Sequence, residues 1–140
     1  MIILDTNVLS ELMLPQPAQT VTAWLNQQAE EDIWTTSISV FEVRYGLALL
    51  DEGRRRRNLE DAFRALLEDD LIGRIASFDR TAAEIAGDLA ARRRSAGRSI
   101  GNQDTQIAGI AVARRASIAT RNVRHFEGLG VPVLNPWDAT

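Results

Sequence analysis

The alternation of short apolar runs with amphipathic helical segments constrains the fold of this chain more than any other sequence feature. Apolar or β-branched runs predict five short strands, at residues 2–5, 33–37, 74–78, 116–120 and 131–134. Between these runs, apolar residues recur at three- and four-residue spacing and predict helices at residues 6–14, 18–29, 39–50, 54–70, 79–96 and 104–115. Strands that alternate with helices need crossover connections, so we expect a mainly parallel sheet of four to five strands.

Helices on both faces of such a sheet give an α/β sandwich of three layers. The 140 residues suit one domain, and we find no internal repeat or low-complexity linker. We therefore expect a single domain over residues 1–140.

The composition excludes several kinds of chemistry. The chain has no cysteine, which rules out thiolate zinc sites and cysteine nucleophiles, and its 16 basic residues are all arginine, which rules out a reaction that needs lysine. A net charge of -3 argues against a protein that binds nucleic acid over its whole surface, although a local basic patch remains compatible with it. No apolar run is long enough for a membrane span or a secretory signal, so we expect a cytoplasmic protein.

Polar residues stand where three of the predicted strands end. Asp5 follows the first strand, Ser37 ends the second and Thr120 ends the fourth. In parallel α/β sheets, ligands bind outside the carboxyl ends of the strands. We therefore expect these residues at one edge of the sheet, where a site would form.

Each acidic candidate has a structural interpretation beside the functional one. Asp5 is either a turn residue that caps the next helix or a ligand at a rigid strand end. Asp104 is either a first-turn acid that favours the helix dipole or a second ligand near the same edge. Asn122, which follows Thr120, is either the N-cap of a short helix or a polar group of the site.

Glu42 also allows two interpretations. Ser39-x-x-Glu42 matches a capping box, in which the glutamate returns to the backbone of the N-cap residue. If Ser37 is the cap instead, Glu42 lies one turn into the helix and points over the strand ends.

Taken together, the acids favour a metal site. The topology brings Asp5, Glu42 and Asp104 to one edge of the sheet, where no lysine is available to neutralise them. Several carboxylates this close ionise cheaply only with a cation among them. Oxygen ligands select Mg²⁺ or Mn²⁺ rather than zinc, and Mg²⁺ commonly binds substrate phosphates as well. The constellation therefore indicates a site that cleaves phosphodiester bonds.

The chain resembles PIN-domain ribonucleases, in particular the VapC and FitB type of toxin from bacterial toxin–antitoxin pairs. The resemblance lies in motifs that span almost the whole chain in order: LDTNVLSEL at 4–12, SISVFEVRYGLALL at 37–50, FD at 78–79, D-x-x-IA at 104–108, ATRNVRHFEGLGV at 119–131 and NPW at 135–137.

This resemblance implies a three-layer PIN-like sandwich and a cluster of acids that binds Mg²⁺ or Mn²⁺ and cuts RNA, leaving a 5′-phosphate and a 3′-hydroxyl. It places the catalytic acids at Asp5, Glu42 and Asp104, with the first and last as metal ligands. It makes Thr6 and Thr120 supporting residues and puts the fourth polar position at Asn122. Many relatives have aspartate at this fourth place, so asparagine here favours one metal, or a second that is recruited only with substrate, over two tightly held metals.

The resemblance also implies partners: RNA as substrate, a VapB- or FitA-like antitoxin, a second copy of the chain in a homodimer, and DNA only through the antitoxin. We expect four arginines near the loop before Asp104 to contact RNA: Arg92, Arg93, Arg94 and Arg98. His125 is interpreted as packed or exposed rather than catalytic. The alternative function is a catalytically weak PIN-fold subunit that acts within an antitoxin-bound complex regulating DNA.

Overall fold

The protein forms a parallel α/β sandwich, which confirms the predicted fold class. The computed structural model describes residues 1–98 and 101–138. Within these residues the sheet has five strands in the order β3-β2-β1-β4-β5, and every neighbouring pair is parallel. The strands are β1 (Ile2–Leu4), β2 (Ile33–Thr36), β3 (Ile75–Ala76), β4 (Ser117–Ala119) and β5 (Val133–Leu134).

Helices connect the strands and cover both faces of the sheet. The α-helices in the described ranges are α1 (Thr6–Leu12), α2 (Gln19–Asn26), α3 (Ser37–Ala48), α4 (Arg54–Ala65), α5 (Arg80–Ser95) and α6 (Asn102–Arg114). Short 3₁₀ turns cover Glu30–Asp32 and Val123–Phe126, and one π-helical turn covers Leu66–Asp70. None of these helices is long and apolar enough to cross a membrane.

The buried apolar residues form two clusters, one against each face of the sheet. Side chains of α1 to α4, such as Leu9 and Phe63, make up the first cluster. Side chains of α5 and α6, such as Leu89 and Ile107, make up the second with Phe126. Both faces of the strands are therefore covered, as a parallel sheet requires.

The strand order places a topological switch point beside β1. From β1 the chain adds β2 and β3 on one side, and it later returns to add β4 and β5 on the other. Leu4 pairs with Ala119 in the register of β1 and β4, so Asp5 and Thr120 leave the sheet side by side. A crevice opens at this point in parallel sheets, which makes it the expected place for a ligand.

Two element boundaries differ from the sequence prediction in ways that affect the site. Helix α3 begins at Ser37 rather than at residue 39, because Thr36 is its N-cap and accepts a hydrogen bond from Ser39 N at 3.1 Å. Helix α6 begins at Asn102, two residues earlier than predicted, and Asp104 lies in its first turn, the position already expected for it.

The small residues of α6 allow close packing, and one of them, Gly109, faces another helix. A Cβ atom at Gly109 would lie 2.6 Å from the backbone oxygen of Ala82 and 2.8 Å from Ala86 Cβ. Glycine therefore permits α5 to approach α6 at this position, and this contact fixes the helix that carries Asp104.

Candidate active site

Asp5 lies at the centre of the crevice between β1 and β4. It is the N-cap of α1, and its side chain is only 3 % exposed. Its Oδ1 accepts a hydrogen bond from Thr6 N at 2.8 Å, and its Oδ2 accepts from Thr120 Oγ1 at 2.7 Å and from Asn7 Nδ2 at 3.2 Å. The carboxylate therefore serves as a cap and also lies in the candidate site, so the two interpretations of Asp5 are compatible.

The pKa of Asp5 is raised from its ordinary value. Burial is the largest cause, since it removes water from the charged form, and the negative charge of Asp104 adds to the rise. Hydrogen bonds from Thr120 and from the Thr6 backbone oppose it, as does His125. The three side-chain and backbone donors to this carboxylate among the described residues are neutral groups, so none of these hydrogen bonds brings a positive charge to it.

Glu42 faces the same crevice from α3. Thr6 Oγ1 donates a hydrogen bond to Glu42 Oε1 at 2.8 Å and lies 2.9 Å from Ser39 Oγ. The pKa of Glu42 is raised, first by burial and then by the negative charges of Asp5 and Asp104, against the hydrogen bond from Thr6. Thr6 therefore donates hydrogen bonds to the carboxylates of both Asp5 and Glu42, as a residue that holds them in place would.

The capping-box interpretation of Glu42 is wrong, and so is a cap at Ser37. Thr36 occupies the N-cap position, and Ser37 Oγ instead accepts a hydrogen bond from Phe78 N at 3.0 Å. Thr36 ends strand β2 in an extended conformation, with φ -125° and ψ 158°, which suits an N-cap residue. Glu42 is thus free of a capping role and available to the site.

Asp104 enters the site from the first turn of α6. Its Oδ2 lies 2.8 Å from Nδ1 of His125, while its side chain keeps 22 % exposure. His125 is exposed, as predicted, but its pairing with a site acid was missed. Only one signal was available in the sequence: His125 follows the strand that ends at Thr120.

Thr120 and Asn122 complete the floor of the crevice. Thr120 is fully buried and donates to Asp5, and its Oγ1 accepts a hydrogen bond from Asn122 N at 3.0 Å. Asn122 precedes the 3₁₀ turn Val123–Phe126, but its side chain makes no capping hydrogen bond. The exposed Asn122 side chain therefore remains available to the crevice.

These residues line one open cavity of about 500 Å³. Its walls are formed by Asp5, Thr6, Asn7, Ser10, Glu11, Leu14, Glu42, Asp104, Arg121, Asn122 and Trp137. The topology therefore brings together the three acids and the polar position that were chosen from the sequence, and it adds Glu11, Arg121 and Trp137. We refer to this space below as the acidic cavity.

The donor set of the acidic cavity fits a hard divalent cation. In the described part of the chain, no three acidic, histidine or cysteine side chains converge on one point closely enough to form a complete metal site. Asp5 and Asp104 nevertheless repel each other electrostatically and offer oxygen ligands. Mg²⁺ is commonly held by one or two carboxylates, with water and substrate phosphate as its other ligands. Such a partial set of oxygen ligands is of the kind that Mg²⁺ and Mn²⁺ accept.

The four predicted RNA-binding arginines differ in their exposure to solvent. Arg92, Arg94 and Arg98 are exposed, whereas Arg93 is only 6 % exposed. The Arg93 guanidinium donates to the backbone oxygen of His125, and its Nε and Nη1 have no partner among the described residues. Burial lowers the pKa of Arg93, and the nearby charge of Asp104 opposes that effect. Arg93 therefore lies behind the site and supports the segment that carries His125.

The raised pKa of Asp5 predicts how stability depends on pH when no metal is bound. The folded protein keeps a proton on Asp5 at pH values where the unfolded chain, with its ordinary pKa of 3.8, has lost it. The folded state then binds more protons, so the free energy of unfolding falls as the pH rises through the window above 3.8, by up to about 1.4 kcal/mol per unit of pKa shift.

The Asp5→Asn variant has no such carboxyl group, so it isolates this effect. With EDTA present, the wild type should gain stability relative to the variant as the pH is lowered from neutral toward the ordinary pKa of aspartate. Urea unfolding at a series of pH values measures the difference. A difference that stays constant with pH would contradict the effect of burial.

The fold and the cavity together define a class: parallel α/β sandwiches that gather carboxylates at the carboxyl ends of their strands. Residues 2–130 match the family model described as PIN domain. The chain belongs to the PIN-domain family.

Relatives that match nearly the whole chain identify a narrower group within this family. The chain is 38 % identical over 138 residues to the VapC ribonuclease Y4jK of Sinorhizobium fredii, with 99 % of each chain covered. It is 36 % identical over 137 residues to the toxin FitB of Neisseria gonorrhoeae, with 98 % of this chain and 99 % of that protein covered. A solved structure of FitAB bound to an IR36 DNA fragment matches with a TM-score of 0.89 at 36 % identity, covering 100 % of this chain and 98 % of that chain. The resemblance to VapC and FitB that was drawn from the motifs is confirmed.

Proposed function

We propose that this protein is a metal-dependent endoribonuclease and the toxin of a type II toxin–antitoxin pair. The observation that carries the proposal is the buried Asp5 carboxylate at the switch point of the sheet, which shares an acidic cavity with Glu42 and Asp104. Carboxylates that are buried close to one another cost stability, and proteins keep such clusters where the chemistry needs them. The similarity to a VapC ribonuclease and to the toxin FitB supports the same reaction class.

Asp5 and Asp104 are the residues that would hold Mg²⁺ or Mn²⁺. When bound, the ion supplies positive charge that neutralises the phosphate and lowers the pKa of a water molecule. Thr120 Oγ1 and Thr6 N fix the two oxygens of Asp5 by donating a hydrogen bond to each. Asn122 contributes an amide in place of a fourth acid, which favours one tightly held ion.

Glu42 is the proposed general base. Its raised pKa makes the carboxylate a better proton acceptor, and the hydrogen bond from Thr6 orients it. In the hydrolysis the water oxygen bonds to phosphorus, one water proton passes to Glu42 and the bond from phosphorus to the 3′ oxygen breaks. The 3′ oxygen takes a proton from solvent, so the products are a 5′-phosphate and a 3′-hydroxyl.

Removal of divalent ions should abolish cleavage, because two carboxylates alone repel the phosphate. Purified protein is expected to cut RNA with Mg²⁺ or Mn²⁺, to lose this activity in EDTA, and to recover it when Mg²⁺ is restored. Sequencing of the cleavage ends should find 5′-phosphates. Cleavage that persists in EDTA, or that leaves a 2′,3′-cyclic phosphate, would contradict this mechanism.

The alternative function is a catalytically weak subunit within a DNA-regulating complex. Two observations point toward this alternative: Asn122 is uncharged, and no three acids of the described residues converge on one point. Absence of RNA cleavage with every divalent ion, together with DNA binding by the complex with its antitoxin, would support this alternative.

RNA contact is proposed for the arginines of α5 and the loop that follows it. Arg92, Arg94 and Arg98 are exposed and can reach a phosphate backbone directly. The buried Arg93 is expected to act indirectly, through its hydrogen bond to the backbone of His125.

An antitoxin is the proposed protein partner. Solved structures of FitAB and of VapBC2 from Rickettsia felis hold such pairs on DNA fragments. In the present chain a largely apolar groove of about 860 Å³ separates the end of α1 from α4, and it suits an amphipathic partner segment. Leu12, Leu14 and Leu59 line this groove together with Arg54 and Arg55. DNA contact would then come only through the antitoxin.

A homodimer is proposed from the exposed face of α3. Phe41, Tyr45 and Leu49 recur at four-residue spacing and are 61 %, 59 % and 68 % exposed. The rings of Phe41 and Tyr45 stack with their centroids 6.2 Å apart. An apolar stripe of this kind on one helix fits a second copy of the chain.

The cellular location that we propose is the cytoplasm, because the proposed substrate is RNA.

A further inference from the structure

Arg121 is the basic side chain on the rim of the acidic cavity. Four acids line this cavity with it: Asp5, Glu11, Glu42 and Asp104. A guanidinium in such surroundings would ordinarily form an ion pair with a carboxylate. Among the described residues, Arg121 forms none within 4.0 Å.

Trp137 holds the Arg121 guanidinium instead. The Cζ atom of Arg121 lies 4.9 Å from the centroid of the Trp137 ring, within the range of a cation–π contact. Trp137 is half-buried against the apolar cluster of α1 to α4, and its backbone N donates to Asn135 Oδ1 at 3.0 Å. The indole is therefore a fixed platform, and it keeps the positive charge at the cavity without neutralising the acids.

The backbone of Arg121 is also fixed. Arg121 N donates to Asn7 Oδ1 at 3.1 Å, and Asn122 N donates to Thr120 Oγ1 at 3.0 Å. Asn7 in turn donates to Asp5 Oδ2. Hydrogen bonds thus connect the backbone of Arg121, through the Asn7 side chain, to the Asp5 carboxylate at the centre of the site.

We propose that Arg121 binds a phosphate group of the RNA substrate and that Trp137 positions its guanidinium for this contact. The inference rests on the proposed ribonuclease function and adds a substrate-binding residue to it. The guanidinium N–H groups match the oxygens of a phosphate in a planar fork, and stacking on an aromatic face leaves those groups free. Beside four acids, Arg121 supplies positive charge from the protein itself to a phosphate that the cavity would otherwise repel.

The chain offers a matched control for this pair. Arg114, at the end of α6, lies over the ring of Trp34, with its Cζ 5.5 Å from the centroid. Both arginines are exposed, and each stacks on a half-buried tryptophan. Neither Arg114 nor Trp34 lines the acidic cavity. Replacing Arg114 therefore removes the same charge and the same kind of contact at a distance from the site.

The test measures equilibrium binding of a single-stranded RNA as a function of salt. The Asp5→Asn protein serves as the parent, because it is expected to bind RNA without cutting it. Adding Arg121→Ala should weaken binding severalfold and reduce the slope of log K against log salt by about 0.7, the value for one lost contact to a single-strand phosphate. Arg121→Lys should keep the slope, and Arg114→Ala should change neither quantity.

The outcomes separate this inference from the proposed function. If the wild type cleaves RNA but Arg121→Ala changes neither the affinity nor the slope, this inference alone is wrong. An equal effect of Arg114→Ala would also overturn it, since the change would then reflect net charge. If the wild type does not cleave RNA and the parent does not bind it, both proposals fail.

The positioning role of Trp137 is tested by coupling. Trp137→Leu should weaken RNA binding, Trp137→Phe should restore most of it, and Trp34→Leu should leave it unchanged. The Arg121→Ala, Trp137→Leu double variant should bind RNA as Arg121→Ala does, because the second change removes only the support of a side chain already lost. Additive losses in the double variant would show that Trp137 acts independently, which would overturn the positioning role.

Discussion

The Asp5→Asn variant is expected to lose RNA cleavage by a factor on the order of 10³ or more while it keeps its fold. Asparagine retains an oxygen that can accept the hydrogen bond from Thr6 N and cap α1, so the local structure has a replacement. It removes the negative charge that would hold the divalent ion between β1 and β4. Single-turnover cleavage of RNA in Mg²⁺, with circular dichroism to confirm the fold, measures this effect.

Asp79→Asn is the matched control for this change. Asp79 is also an N-cap, at the start of α5, where its Oδ1 accepts a hydrogen bond from Ala82 N at 2.9 Å. It does not line the acidic cavity, so the same substitution there should leave cleavage at the wild-type level. Metal-dependent cleavage by Asp5→Asn at the wild-type rate would disprove the assignment of Asp5.

Asp104→Asn is expected to lower both metal affinity and cleavage. Asp104 is the second proposed metal ligand, and the ion would keep only one carboxylate of the pair without it. We expect the affinity for Mn²⁺ to fall about 10- to 100-fold or more, since even indirect partners of a metal have effects of this size. Electron paramagnetic resonance of free Mn²⁺ measures the affinity without relying on activity.

Two further variants give this experiment its controls. Asp88→Asn changes an exposed acid on α5 and should leave Mn²⁺ binding unchanged. His125→Ala removes the partner of Asp104 but keeps the carboxylate, so its effect should be smaller than that of Asp104→Asn. Wild-type Mn²⁺ affinity in Asp104→Asn would exclude this residue as a ligand.

Local sequence patterns were sufficient to predict the helices and strands of the fold. All five strands and all six helices expected from the pattern are present within residues 1–98 and 101–138, although several are shorter than predicted. The helix predicted from residue 79 begins at Arg80, with Asp79 as its N-cap. These features depend on neighbours within a few residues, where the pattern of apolar and polar side chains acts directly.

The local pattern predicted the wrong cap for α3, where more than one residue was a candidate N-cap. Ser39 and Glu42 have the spacing of a capping box, but Thr36 caps α3 instead. Strand β2 extends to Thr36 and pairs with β3 there, so the helix can begin directly after it. Pairing with a distant strand thus decided the position of the cap, and with it the freedom of Glu42.

The helical periodicity of α5 indicates that Arg93 is buried. Ala82, Ala86, Leu89 and Arg93 recur at spacings of four, three and four residues, which is the buried face of α5. The charge of Arg93 favoured an exposed interpretation, although helical periodicity already placed the side chain inside. The pairing of His125 with Asp104 had no comparable signal, because these two residues are 21 positions apart in the sequence.

The sequence by itself determined the parallel α/β fold and the family, and it predicted which acids form the site, because each of these depends on a local pattern or a motif. Only the tertiary structure decided how these acids meet: the register of β1 with β4 sets Thr120 against Asp5, and the packing of α6 brings Asp104 to His125. It also decided that Arg121 stacks on Trp137 at the rim of the acidic cavity rather than pairing with an acid. These contacts join residues far apart in the chain, and burial and charge act on them only after the sheet has brought them together.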